Sequence, residues 1–142
     1  MTLGFKKKFG FKPKILDGTK KHTIRRDSKN RWKVGMTIHM AQGLHSKAYD
    51  HFNADRPDLQ VVKGIQKFEI NYCPDSGDVN IFIDNSFQCA IDPKFSDFII
   101  SYTNFDILQF AKNDGFDSID DFLKYFNTDF TGKIIHWTDF KY

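Results

Sequence analysis

The sequence predicts an α+β domain of about five to seven strands, forming a curved sheet or small barrel flanked by about three helices. Three observations lead there. Short segments that alternate apolar and polar residues recur between residues 22 and 101, the apolar period lengthens to that of a helix after residue 104, and most connections are short turns. A length of 142 residues fits one domain over 1–142, large enough to bury a core. Sixteen phenylalanines and a 40% hydrophobic content separate the chain from compositions that stay disordered.

The elements follow in order. Pro13 suits the first turn of a short helix, Ile15 and Leu16 supply its apolar contacts, and Gly18 can take the left-handed conformation that ends it. "HTIRR" then alternates as a strand, with His22 and Ile24 on one face and Thr23 and Arg25 on the other. "VGMTIHMA" repeats the pattern with Met36, Ile38 and Met40 on one side. Residues 42–60 follow neither period and exceed the usual loop length, which makes them a lid candidate. "KFEINY", the turn "PDSGD" and "VNIFI" read as a hairpin, and "FQCAI" and "FIISY" as further strands. "NFDILQFAK" reads as a helix with Asn104 as cap and Ile107, Leu108 and Ala111 inward; "NDG" ends it. Ser118 caps a second helix, in which Ile119, Phe122, Leu123 and Phe126 fall on one face. "KIIHW" closes as a strand.

Charge is unevenly placed. Residues 1–34 hold twelve Lys or Arg against two Asp, a charge of +10, and the remainder nine against sixteen acidic residues, −7. One end of the sequence therefore attracts anions such as phosphate-bearing partners. No apolar run approaches the roughly 20 residues of a membrane span, and no signal-peptide core follows the basic start, so a soluble cytoplasmic protein with no membrane partner is expected. Cys73 and Cys89 lie in strand-like segments outside any metal-ligand spacing and are read as reduced and structural. His45, His51, Asp50 and Asp55 share the long loop without a rigid spacing, and no phosphate-binding glycine motif or nucleophile elbow occurs; neither metal nor cofactor is expected.

"DGTKKHTIRRD" (17–27) carries the chemistry candidates Lys20, Thr23 and Arg25. A threonine hydroxyl is a weak nucleophile until a base takes its proton, and a lysine can do so only when neutral, which near pH 7 requires its pKa to fall by roughly three units. Crowding by Lys21, Arg25 and Arg26 with partial burial pushes in that direction. The plainer alternative is a strand edge with solvated cations. Asp114 faces the unfavourable end of a helix dipole, so a compensating cation is expected beside it, and the group around Lys20 is the densest supply; the plainer alternative is a turn-forming Asp before Gly115. "FKKKFGFKPK" interleaves lysines with Phe5, Phe9 and Phe11, either a stacking surface for single-stranded nucleic acid or core phenylalanines between solvated lysines. His136 and Trp137 fit core or cleft wall.

Together, "ILDGTKKHTIRRD", "RWKVGMTIHM", "KGIQKFEI", "FAKNDGFDSIDDFLKYF" and "GKIIHW" resemble an ASCH domain of the PUA-like superfamily over nearly the whole chain. The most specific part is Gly18, Lys20, Thr23, Ile24 and Arg25 with the acidic residue before Gly-Phe at Asp114. The resemblance implies a small PUA-like barrel with a basic cleft that binds RNA or a nucleotide-like ligand, with Gly18, Lys21, Arg25 and Arg26 at the ligand. Some small members hydrolyse N4-acylated cytidines with a Lys, a Thr and a Glu, which fall on Lys20, Thr23 and Asp114. Two departures stand out: Asp114 is one methylene shorter than that Glu, and residues 42–60 lengthen the chain and bear on how the cleft is covered.

Overall fold

Backbone hydrogen bonding sorts the strands into two sheets. The computed structural model describes residues 1–95, 99–101 and 103–142. Its elements are β1 (Thr2–Gly4), α1 (Phe11–Leu16), β2 (His22–Arg25), β3 (His39–Gln42), β4 (Asp50–His51), β5 (Gly64–Tyr72), β6 (Val79–Ile83), β7 (Ser86–Ile91), β8 (Ile99–Ser101), α2 (Ile107–Asn113), α3 (Ile119–Tyr125) and β9 (Phe130–His136). The smaller sheet is ordered β1-β3-β4, with β1 parallel to β3. The larger is ordered β2-β9-β5-β6-β7-β8 and is antiparallel throughout.

This is the expected α+β class, but with nine described strands rather than five to seven, and pairing among the described residues does not close a barrel. Among the described residues, the backbone link between the segments that lead into the two sheets is the isolated bridge Thr37–Val61 with the hydrogen bonds around it, from Gly35 N to Val62 O, Val62 N to Met36 O and Ile38 N to Gln60 O. The strand expected at 34–41 starts late for the same local reason. Gly35 turns the chain at φ 87°, so ladder pairing begins only at His39. The alternation nonetheless holds, since Ile38 and Met40 are buried while Thr37 and His39 are exposed.

The core lies on the larger sheet. Phe68, Ile70, Val79, Ile81 and Ile91 are fully buried, and α2 and α3 bring Phe110, Phe122 and Phe126 against them. Phe68 has the rings of Phe110 and Phe126 each 5.7 Å from its own and Phe122 at 6.4 Å. Burying such a side chain contributes about 1.5–3 kcal/mol. Asp84 and Asn85 both take positive φ and form the two-residue turn between β6 and β7. Of the strand expected at "FIISY", Ile99–Ser101 form β8; Phe98 and Tyr102 lie outside the described residues.

Two helix expectations need correction. Asp106, not Asn104, caps α2, its carboxylate accepting from Gln109 N. Leu108 is 40% exposed because it sits one residue, about 100°, round from the inward Ile107; Phe110 takes the inward place. Ser118 caps α3 as expected, accepting from Asp121 N.

Residues 42–60 are not a bare loop. They contain β4 and a 3-10 turn at Pro57–Leu59, and the fully buried Asn53 ties them down. Its Oδ1 accepts from Met40 N at 2.8 Å, and its Nδ2 donates to Ile38 O at 3.1 Å and Leu59 O at 2.9 Å. The tip, with Leu44 and Tyr49, projects outward. Asn53→Ala strands one backbone donor and two acceptors and is expected to cost about 2–4 kcal/mol by urea denaturation; a loss below about 0.5 kcal/mol, the range of ordinary surface changes, would show that the segment is held by something else.

Candidate functional site

A backbone clamp brings the start of β2 to the end of α2. Lys20 N donates to Lys14 O and Lys21 N to Asn113 O, both at 2.8 Å. Gly18 supplies the left-handed turn (φ 83°) that leaves α1, with its Cα open to solvent. The Lys20 side chain is thereby sealed inside and meets Asp114, the C-cap of α2. Its Nζ donates to Asp114 Oδ1 at 2.9 Å and also to the Asp114 carbonyl oxygen. It also lies 4.5 Å from the centre of the Phe11 ring. The short arm of Asp114 therefore reaches the lysine without difficulty.

The residues after Asp114 make the contact possible. Gly115 has φ 96°, and a Cβ there would stand 2.8 Å from both Lys20 Cδ and Phe11 Cδ1, so only glycine fits. Phe116 packs edge-on against Phe11 and Phe122, each 5.6 Å away. Acid, glycine and phenylalanine thus act in sequence as ion partner, close approach and anchor.

Burial pushes the Lys20 ammonium down to about 8, against the pull of Asp114, while Arg25 and Lys14 add to the fall. Burial works to raise the Asp114 carboxyl, but Lys20 and His22 outweigh it and hold the group below the usual carboxylate range. The pair is ionic at neutral pH. His22 stands behind it, Nδ1 3.6 Å from Asp114 Oδ1, too far for a hydrogen bond. Asn113 Nδ2 donates to the Tyr142 hydroxyl at 2.9 Å, and that hydroxyl lies 2.7 Å from His22 Nε2; the carboxylate facing Nδ1 favours the direction in which Tyr142 donates to Nε2. That leaves the His22 proton on Nδ1, facing the carboxylate, and burial keeps the ring neutral.

Thr23 is 4% exposed and shares the second face of β2 with Arg25. Its hydroxyl makes no hydrogen bond among the described residues. Arg25 donates from Nη2 to Gly4 O at 2.7 Å and lies 5.2 Å from the Phe5 ring centre. Arg26 is exposed, with its guanidinium 5.0 Å from the Phe130 ring. Lys21 turns elsewhere, its Nζ 5.4 Å from the Phe140 ring. The structure thus joins Lys20 to Asp114, sets Thr23 beside Arg25, and gives Gly18 a turn to make.

Other candidates resolve differently. Phe5 and Phe11 are buried and Phe9 half-buried, so they serve the core while Lys6, Lys7 and Lys8 stay near the surface. His136 is buried against His22, ring centres 5.2 Å apart, and burial pushes it down to about 3; Trp137 is buried beside Phe5. Both cysteines are free thiols, and burial raises Cys89 to about 12. No group of three metal-binding side chains occurs among the described residues, and none of their helices is long and apolar enough to cross a membrane. His22, Asn113 and Tyr142 were missed as neighbours of Asp114, because nothing in their spacing marks a contact made across 29 to 120 positions.

Three depressions surround the N-terminal basic segment: about 490 Å3 lined by Gly4–Lys8 with Gly43 and Leu44, about 290 Å3 lined by Met1–Gly4 with Arg25, Arg26, Arg31 and Trp32, and about 400 Å3 beside Phe11 and Gly115. Lys20, Thr23 and Asp114 form none of their walls. No family model matches the chain, and no curated protein or solved structure matches it.

Asp114→Ala leaves a sealed ammonium without its partner and is expected to cost about 3–5 kcal/mol. Asp117→Ala breaks the exposed pair with Lys14 and should cost about 0–1 kcal/mol; equal losses in chemical denaturation would show that the buried pair is not special. The unfolded chain keeps Lys20 protonated to roughly pH 10.4, whereas the folded chain releases that proton at about 8. The unfolded state therefore binds more protons in between, and rising pH favours folding across that window. Lys20→Met should remove this component, seen as a smaller rise in stability from pH 8 to 10 than in the parent.

Proposed function

We propose that the chain is an ASCH-like domain, its fold a PUA-like barrel left open between the two sheets, that takes an N4-acylated cytidine-type ligand and hydrolyses its acyl amide. The observation that carries this reading is the sealed Lys20–Asp114 pair at the foot of the strand that bears Thr23, whose hydroxyl has no hydrogen-bond partner among the described residues. An apolar pair of similar volume would serve stability as well or better. A lysine held at about 8 is instead neutral in roughly a tenth of molecules at pH 7, enough to act as a base.

The reaction follows from that assignment. Thr23 Oγ1 attacks the acyl carbonyl carbon as its proton passes to neutral Lys20 Nζ, and Asp114 stabilises the ammonium so formed. The oxyanion is held by Arg25 or a backbone N–H. When the C–N bond breaks, the proton moves from Lys20 to the departing exocyclic amine. Water then cleaves the threonyl ester, releasing the carboxylic acid and restoring the hydroxyl.

The distribution of charge favours a second reading, in which a cytoplasmic protein binds RNA or a nucleotide without turnover. The lysines of the N-terminal segment stay accessible while its phenylalanines are withdrawn, so phosphate attraction rather than base stacking would supply affinity.

Purified protein incubated with N4-acetylcytidine is expected to release acetate and cytidine, with kcat/KM rising with pH up to about 8 as Lys20 loses its proton and levelling beyond. Thr23→Ala should lower turnover by about a thousandfold or more while the fold is retained. No turnover by the parent, or full activity in the variant, removes the hydrolase reading. Under the binding reading, log affinity for single-stranded RNA falls against log salt with a slope of about 0.7 per phosphate contact.

A further inference from the structure

The 290 Å3 depression at the far end of β2 has an uncompensated charge. Arg25, Arg26 and Arg31 line it, with no acidic residue in its wall, and none of the three makes an ion pair among the described residues. The acidic residue nearest in sequence, Asp27, is turned away and occupied. Its side chain is 2% exposed and lies 3.2 Å from Lys133 Nζ. Its oxygens accept from Arg31 N at 2.9 Å and Trp32 N at 3.1 Å. Asp27 therefore fixes the backbone that presents Arg31 and Trp32 while leaving the guanidinium groups unneutralised.

A second observation points to a ligand. Trp32 is 6% exposed and lines the depression, and its indole N–H has no acceptor among the described residues, so a nearly buried ring carries an unpaired donor there. Arg25 spends one Nη on the Gly4 carbonyl, but the exposed Arg26 and Arg31 guanidinium groups and the indole N–H face no carboxylate in the wall, a donor set that matches the oxygens of a phosphate. The volume is at the small end of ligand sites, roughly 300 Å3 and up, and suits a phosphate with part of a sugar.

We propose that Arg25, Arg26, Arg31 and Trp32 form a phosphate-binding site, so that the ligand of this protein is a phosphorylated pyrimidine, a nucleotide or a position in RNA, rather than a free nucleoside. Thr23 and Arg25, two residues apart on one strand face, are separated by about 7 Å, a span that a nucleotide bridges between base and phosphate. The pyrimidine part of this inference rests on the function proposed above; the phosphate part does not.

Titration calorimetry at low salt on the intact chain, with cytidine, cytidine 5′-monophosphate and a cytidine-containing hexaribonucleotide lacking terminal phosphates, tests it without using turnover. One of the two phosphate-bearing probes is expected to bind at least about tenfold more tightly than cytidine. A gain by the monophosphate alone identifies a terminal phosphate, and a gain by the hexamer alone or by both identifies an RNA backbone. Arg31→Ala and Trp32→Phe should each lose most of that gain, whereas Arg56→Ala, which breaks an ion pair with Asp58 elsewhere, should keep it. Equal binding of all three probes, or a gain untouched by Arg31→Ala and Trp32→Phe, overturns the proposal. Phosphate binding without any turnover of acetylated substrate would sink the hydrolase reading and leave this site standing; turnover of N4-acetylcytidine with no gain from phosphate would do the reverse.

Discussion

The ion pair between Lys20 and Asp114 is the constraint around which the rest is arranged. It joins groups 94 residues apart, both withdrawn from water, and its geometry dictates the neighbours. Desolvating two charges costs several kcal/mol per ion unless the attraction and the remaining hydrogen bonds compensate. Here the lysine finds a carbonyl, a carboxylate and an aromatic face, and the carboxylate has a neutral imidazole behind it. Gly115 cannot be anything larger, Phe11 must present its ring, and the Asn113–Tyr142–His22 relay sets the imidazole tautomer. Because the pair fixes the foot of β2 against the end of α2, it also fixes where Thr23 and Arg25 stand along that strand.

The second organising effect is the separation of charge from apolar surface within the N-terminal segment. Phe5 and Phe11 enter the core, while the lysines interleaved with them remain outside. Much of the positive charge of residues 1–34 therefore stays at the surface, although Lys20 is sealed inside and Lys12 and Lys14 pair with Asp50 and Asp117; Asp27, within the same segment, is spent on backbone N–H groups and Lys133. A positive field of this kind raises the local concentration of anions. On the proposed reading, it gathers the ligand before Lys20 acts on it.

Much of this was legible in the sequence because local rules decided it. The hairpin of β5 and β6, the Ser118 cap, the left-handed Gly18 and the alternation of β2 all depend on neighbours a few positions away. The pairing of Lys20 with Asp114 was also anticipated, since a carboxylate at a helix C-terminus needs a cation and one region was rich in them. What was not legible depends on distant partners. Leu108 and Phe110 both fit an apolar helix, and only the position of Phe68 and Phe122 decides which one turns inward. Barrel closure is not met because the segments that would join the sheets share a single bridge, Thr37–Val61, rather than a ladder among the described residues, a pairing length that residue types do not set. The grouping of Arg31 and Trp32 with Arg25 follows from how Asp27 folds the following turn, a hydrogen-bond choice that residue types alone do not encode.

Asn53 has one more implication. By stapling Ile38, Met40 and Leu59 together, it holds the base of the segment, while the outward tip at Leu44–Tyr49 forms the turn between β3 and β4 at the rim of the smaller sheet. Leu44 sits directly over Gly4, whose carbonyl holds Arg25, so the tip borders the basic region without bearing any of the load of the fold. The tip is consequently a segment whose length and composition can be exchanged without retuning the ion pair. On the proposed reading, altered selectivity is to be engineered there while Lys20 and Asp114 stay as they are.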